Sequence, residues 1–279
     1  MKSITVIDVT RERARDLCEL CVPRAKRDDP NWLKGAAEKE QWVLERLDEW
    51  GQVAKLAYDG SIPVGMIQFR PNPEEEVVWI DCIWVPEERY WGKGVATRLL
   101  ADLLAAVTRP LAWFANRQPL AVVTKTFPGG AKNQLTAREF FTRRGFRQVG
   151  PDPDLLFHPL VEGFVHRPKI KPPANYRPQE EDRGRVLIVC GPNPCPATYP
   201  LFLKRMESYI RELDADVPIS WLDAARNPEE VKIRQLTVGD CVVNRHLMRS
   251  FVLDREGFQK EALLALQNYQ DDENRNRSD

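Results

Sequence analysis

Three groups of residues in this 279-residue chain have types and spacing that can do chemistry. The first is Arg89-Tyr90-Trp91-Gly92-Lys93-Gly94-Val95-Ala96-Thr97. Small residues at 92, 94 and 96 let backbone N–H groups approach a ligand without Cβ interference. Where such a turn opens a helix, the orphan N–H donors and the positive end of the helix dipole face an anion, and Arg89 and Lys93 add charge. That is phosphate-binding chemistry, but of neither common nucleotide type: no Gly-Lys-Ser/Thr follows, and the spacing is not Gly-x-Gly-x-x-Gly. The second group is Cys190-Gly-Pro-Asn-Pro-Cys195-Pro-Ala-Thr198, which leads into a helical pattern. A thiol at a helix N-terminus has its thiolate favoured by the dipole. The third is Cys18-x-x-Cys21. Two small apolar residues one helical turn apart read as core packing, and without a second ligand pair nearby they do not read as zinc ligands.

The elements that must position these groups follow from periodicity. Residues 77–85 are a β-branched and aromatic run closed by Pro86, hence a strand. Beyond the glycines, Val95, Leu99, Leu100, Leu103, Leu104 and Val107 recur at helical spacing. The turn is thus framed by a strand and a helix. Upstream, residues 4–9 alternate as a strand, and Thr10 offers an N-cap to a helix with Ala14, Leu17, Cys18 and Cys21 on one face. A second helix is expected from about 36 to 50, ended by Gly51. Strands 53–58 and 62–69 are joined by Asp59-Gly60, a hairpin signal, and Gly65 marks a bulge or a close approach. Residues 71–76 read as a turn. Downstream, 110–116 extend or kink the glycine-turn helix, 120–127 form a strand broken by Pro128-Gly129-Gly130, and a short helix from Leu135 ends at Gly145. Strands over 146–149 and 155–158 follow.

Arg-x-x-Gly-x-Gly/Ala between a strand and a helix resembles the acyl-CoA pyrophosphate loop of the GNAT superfamily of N-acetyltransferases. The segment from Leu135 to Gly145-Phe146 looks like that superfamily's fourth helix and its Gly-Phe exit. The resemblance implies an α/β (α+β) fold, a mixed central sheet flanked by helices, with acetyl-CoA as co-substrate. The implied reaction is acyl transfer to a primary amine of a small molecule or peptide, and homodimers are frequent among relatives. It further implies that the backbone N–H groups of Gly92, Lys93, Gly94, Val95 and Ala96, with Arg89, hold the pyrophosphate inside a loop that includes Tyr90, Trp91 and Thr97. The edge at Ile83, Trp84 and Val85 would receive the pantetheine arm and polarise the thioester carbonyl. The region carrying Trp32, Trp42 and Trp50 would help form the acceptor pocket. Many relatives place a tyrosine four residues before the glycine, where its hydroxyl can protonate the leaving thiolate; this chain has Phe141, which has no proton to give. An amine nucleophile must lose a proton, and Asp81 is the candidate base. Two residues before Ile83, it is expected on the pleat face of Ile83 and Val85. The competing reading of Asp81 is a carboxylate fixed by a neighbouring cation. His158 and His166 are expected on the surface.

Lys plus Arg and Asp plus Glu each number 41, so the net charge is zero. That removes a global electrostatic case for nucleic acid or anionic membrane as partner. No apolar run approaches the roughly 20 residues of a membrane span, and the first residues read as a strand, not a signal peptide. The six cysteines are dispersed, unlike a secreted disulfide scaffold, and the expectation is a cytoplasmic protein with reduced thiols.

The domain reading is an acyl-CoA domain over 1–166, a proline-rich charged linker over 167–184, a smaller domain over 185–269 and a disordered tail over 270–279. Strand, cysteine turn, helix, strand, then hairpin and helix is thioredoxin-like order. Cys195-Pro-Ala-Thr198 occupies the place of a glutaredoxin-type turn, with Thr198 where a resolving cysteine would stand and no proline just before Cys241. The two-domain arrangement resembles the YoaP-like acetyltransferases. Two alternatives stay open: a non-catalytic acyl-CoA sensor, and a protein in which Cys195 is itself the reactive residue, carrying a redox or acyl relay.

Overall fold

The computed structural model describes residues 4–127, 135–169 and 176–276. The expected strand break at Pro128-Gly129-Gly130 and most of the expected linker's proline cluster lie outside them. The chain forms two compact units, one of residues 1–21 and 43–171, the other of residues 22–42 and 172–279. Among the described residues no helix is long and apolar enough to cross a membrane.

The first unit is built on β1 (Ile4–Asp8), α1 (Ala14–Leu20), the C-terminal part of α2 (Pro30–Trp50), β2 (Ala54–Asp59), β3 (Ile62–Asn72), β4 (Val77–Trp84), α3 (Val95–Val107), β5 (Ala121–Lys125), α4 (Ala137–Thr142), β6 (Arg147–Val149) and β7 (Asp152–Pro159). Its sheet has the order β1-β2-β3-β4-β5-β7-β6. All neighbours are antiparallel except β4 and β5. The apolar stripe on α3 buries Val95, Leu99, Leu100, Leu103 and Val107 against Ile67, Phe69, Val78 and Ile80 of the sheet. α3 can lie this close because of Gly65. A Cβ there would stand 2.8 Å from Val95 Cγ1 and 3.2 Å from Leu99 Cδ1. α4 opens with a capping box, in which the Thr136 hydroxyl accepts the Glu139 N–H while the Glu139 carboxylate accepts the Thr136 N–H. It packs Phe141 into the same core, edge-on to Phe146.

The second unit holds β8 (Val186–Cys190), a π-helical turn over Thr198–Leu203 leading into α5 (Lys204–Leu213), β9 (Ile219–Asp223), α6 (Pro228–Arg234), β10 (Cys241–Val243), β11 (His246–Leu247) and α7 (Arg255–Asn276). Its sheet order is β11-β10-β8-β9, with β8 and β9 parallel and the other pairs antiparallel. Apolar residues of β8 and β10 face α5 and α7 on one side, and Leu187, Val189 and Val242 meet Leu236 and Val231 on the other.

Several expectations are corrected. The second helix begins six residues earlier than its amphipathic pattern suggested, at Pro30, whose fixed φ suits a first helical position. Residues 110–116 neither extend nor kink α3. They form a 3-10 turn over Ala112–Phe114, closed by a bridge between Leu111 and Arg117. The end of the expected linker is packed structure. Asp182, fully buried, accepts from Arg234 Nε at 3.0 Å, Tyr176 Oη at 2.8 Å and Arg185 at 3.0 Å. Composition hid this because a buried charge survives only with its partners, and the buried one among them, Arg234, comes from 52 residues away. His166 is also buried, 3% exposed, between Phe157 and Phe164 and 3.7 Å from Glu75. Most of the acidic tail is the end of α7.

Candidate functional site

β4 and β5 pair from Val77–Ala121 to Ile80–Thr124 and then part, the last rung reinforced by the Thr124 hydroxyl donating to the Ile80 carbonyl at 3.1 Å. β4 continues to Trp84, paired only with β3, Ile83 opposite Ile67 and Trp84 opposite Met66. Its other edge over 81–84 is therefore unpaired with β5, and backbone N–H and C=O groups there can serve a ligand entering between the strands.

The chain leaves this edge through Pro86, makes a 3-10 turn over Glu88–Tyr90 and enters the glycine turn. Gly92 and Gly94 have φ of +70° and +79°, the left-handed region glycine tolerates, and no atom lies within 4 Å of where a Cβ would sit on either. The glycines are therefore kept by backbone conformation and by open space beside the turn. Gly94 caps α3, so the N–H groups of Val95, Ala96 and Thr97 are the orphan donors of its first turn.

The loop's side chains divide. Tyr90 points inward, 6% exposed, its hydroxyl donating to Asp59 at 3.1 Å; Trp91 Nε1 donates to the Val85 carbonyl at 2.8 Å. These two brace the turn. Arg89 is exposed, lies 5.0 Å above the Tyr90 ring and pairs with Glu87 at 2.6 Å. Lys93 is exposed, and among the described residues no carboxylate pairs with it. Val95 is buried, Ala96 half-buried and Thr97 exposed. Ile83 and Val85 pack against the core beneath α3, while Trp84 is 45% exposed.

Asp81 does not share the pleat face of Ile83 and Val85. Gln68 pairs with Cys82 and Phe69 with Ile80, so Asp81 is the extra residue of a β-bulge. The bulge inverts the alternation, putting Ile80 and Ile83 on one face although they are three apart. Asp81 turns instead to Arg70, whose Nε donates to Oδ1 at 3.0 Å and whose guanidinium lies 5.4 Å over Trp79. Its side chain is 18% exposed, and Oδ2 is buried without a hydrogen-bond partner. Burial pushes the carboxyl up from its ordinary range while Arg70 pulls it down, with a net rise. A half-committed carboxylate with one free buried oxygen, where the two strands part, can accept a proton from a bound nucleophile. Gln68 Oε1 and Trp79 Nε1 are buried without partners on the neighbouring rungs, a cluster that sequence reasoning missed.

Phe141 is 2% exposed and wholly part of the core, so no hydroxyl is offered from that position. Trp32 is buried, in the part of α2 that belongs to the second unit, and Trp42 and Trp50 are half-buried.

In the second unit Cys195 is exposed, three residues before the helical turn that opens at Thr198. Its N–H donates to Asn193 Oδ1 at 3.0 Å and its carbonyl accepts the Thr198 N–H at 3.1 Å, so it sits in a tight turn short of the helix terminus. Cys190 is buried, and burial together with the nearby Glu38 and Asp223 pushes its thiol up to about 11. Burial also raises Cys241.

Residues 13–146 match the Acetyltransferase (GNAT) family, and the match contains β4, the glycine turn, α3 and α4. This chain carries a GNAT acetyltransferase domain. Solved structures similar to it include an acetyltransferase of the GNAT family from Staphylococcus aureus Mu50, 16% identical, TM-score 0.42, covering 57% of this chain and all of that one. The PaiA N-acetyltransferase from Thermoplasma acidophilum, in complex with coenzyme A, is 13% identical over 56% of this chain and 97% of that one, TM-score 0.40. A GNAT family acetyltransferase from Brucella melitensis, in complex with acetyl-CoA, is 12% identical over 61% and 94%, TM-score 0.39. No curated protein matches the chain in sequence. The GNAT domain's sheet is the mixed one the sequence resemblance implied, parallel only where the strands part.

Proposed function

We propose that the protein transfers an acetyl group from acetyl-CoA to a primary amine of a small molecule or peptide. The observation that carries this reading is the joining of the unpaired β4 edge over 81–84 to a glycine turn with two left-handed residues and open space beside it. The N–H groups of Gly94, Val95, Ala96 and Thr97, with Lys93, would hold the diphosphate; Ile83, Trp84 and Val85 would offer backbone groups to the pantetheine amides and the thioester carbonyl. Asp81 would take the amine proton through Oδ2. Expulsion of the thiolate without a hydroxyl at Phe141 would draw its proton from water.

The second unit's strand order and its parallel β8–β9 pair support a thioredoxin-like fold, and with it a YoaP-like two-domain protein. Cys190 and Cys241 are held protonated by burial, which favours a packing role for that unit over thiol turnover.

The test is calorimetric titration with acetyl-CoA of wild type and Gly92→Val, followed by an amine panel with free-thiol detection. Micromolar binding lost in the variant, with thiol release dependent on one amine class, supports the reading. Binding with no turnover on any amine would favour a sensor, the alternative to which Phe141 gives weight. A folded wild type that binds no acetyl-CoA would end both.

A further inference from the structure

The first turn of α3 is faced by a cation from a different element. Arg144, just past the end of α4, donates through Nη2 to the Thr97 hydroxyl at 2.5 Å and through Nη1 to the Phe140 carbonyl at 2.8 Å, its guanidinium 3.8 Å from the Phe140 ring centroid. Its Nε is buried with no partner. No carboxylate pairs with Arg144 among the described residues, whereas Arg89, the arginine of the motif, is engaged by Glu87. A guanidinium fixed against the positive end of a 13-residue helix is electrostatically unfavourable on its own. Stacking and two neutral hydrogen bonds hold it in place without neutralising it. With Lys93 likewise unpaired among the described residues, three sources of positive potential lie at one open turn: the first-turn N–H groups, Lys93 and Arg144.

We propose that Arg144 binds the diphosphate of the acyl-CoA co-substrate, supplying from α4 the charge-assisted hydrogen bonds that Arg89 has committed elsewhere. This rests on the acyl-CoA reading of the glycine turn. Thr97 is the third residue of the helix, so a diphosphate on the first-turn N–H groups comes within reach of the guanidinium that touches its hydroxyl. The 3′-phosphate of CoA, at the far side of the ribose, is not the group assigned.

The experiment is calorimetric titration of the full chain with CoA and with dephospho-CoA, which keeps the diphosphate and lacks the 3′-phosphate. It uses wild type, Arg144→Met, which keeps the aliphatic stem on Phe140, and Arg144→Lys, with thermal melting as the check on folding. Arg144→Met should weaken both ligands by the same factor, roughly ten- to hundredfold. Arg144→Lys should lose less, and in turnover the change should fall on the KM for acetyl-CoA with kcat unaltered. Should Arg144→Met fail to fold, Arg144→Lys decides, as it retains the charge and loses only the planar fork. Wild-type affinity in the folded variants would overturn the assignment, as would a loss confined to CoA, which would give Arg144 to the 3′-phosphate. Wild type binding neither ligand would overturn the acyl-CoA reading itself.

Discussion

Gly65→Ala tests whether the sheet sets the position of the glycine turn. The new methyl would lie 2.8 Å from Val95 Cγ1 and 3.2 Å from both Leu99 Cδ1 and Val85 Cγ2, so the start of α3 and the exit of β4 must both give. Reaching ordinary contact requires about 0.6 Å of movement at Val95, an overpacking that costs about 1–3 kcal/mol. The unfolded chain loses freedom when glycine becomes alanine, which returns about 0.4–1 kcal/mol. The net is a destabilisation of about 0.5–2 kcal/mol, a fall in melting temperature of about 1–8 °C. Because Val95 is the first residue of α3, the displacement reaches the N–H groups beside it, and acetyl-CoA affinity should fall as well. Val95→Ala removes the colliding methyl, at the cost of a small cavity when made alone. The double variant should therefore be more stable than the sum of the single effects by about 0.5–2 kcal/mol, and should recover part of the affinity. Thermal melts and calorimetry on the four proteins close the cycle. Additive effects, or a Gly65→Ala protein that melts and binds as wild type does, would refute the argument that this glycine lets α3 and its turn approach the sheet.

Asp81→Asn should keep acetyl-CoA affinity and lower turnover by about 10²- to 10⁴-fold. In wild type the acid limb of kcat should lie above the ordinary carboxylate value of about 3.9, because burial raises this group; wild-type turnover in Asp81→Asn removes it as the base. The stability sign is opposite to that of a paired carboxylate: ionising Asp81 as pH rises through its raised value costs stability, so Asp81→Asn should melt no lower than wild type at neutral pH, Arg70 being 40% exposed and free to hydrate. Asp182→Ala should destabilise the second unit by about 3–5 kcal/mol, since it leaves Arg234, 4% exposed, with the part-exposed Glu230 and Glu181 as its carboxylates among the described residues; an unchanged melt would contradict the buried pair. Glu261 is held at about 2: burial opposes its ionisation, but hydrogen bonds from Ser250, His246 and Arg249 outweigh it. Its contribution is present above its ordinary 4.5 and lost as pH falls towards 2, and Glu261→Gln should flatten the melting temperature of the second unit over that window.

Much of the site was legible in the sequence because its causes are local. Left-handed φ demands glycine at 92 and 94 whatever surrounds them, the α3 stripe declares its buried face, and Gly65 announced a bulge or a close approach. Other features depend on residues distant in the chain. Alternation predicts a strand's faces only while each residue has one partner. At Asp81 one extra residue inverts the parity, and whether a bulge forms is settled by pairing with β3, not by β4 alone. Asp182 looks like a solvated polar residue until Arg234 arrives from 52 residues away, and His166 until the fold brings Glu75 beside it and closes the nearby rings of Phe157 and Phe164 around it. Arg144 and Thr97 stand 47 residues apart, each on a helix the sequence predicts, and neither helix reveals that the two side chains meet. Sequence determined the backbone chemistry of the turn, since conformational preference belongs to single residues; tertiary structure decided which charges and which carboxylate face it, since burial and pairing belong to the whole fold.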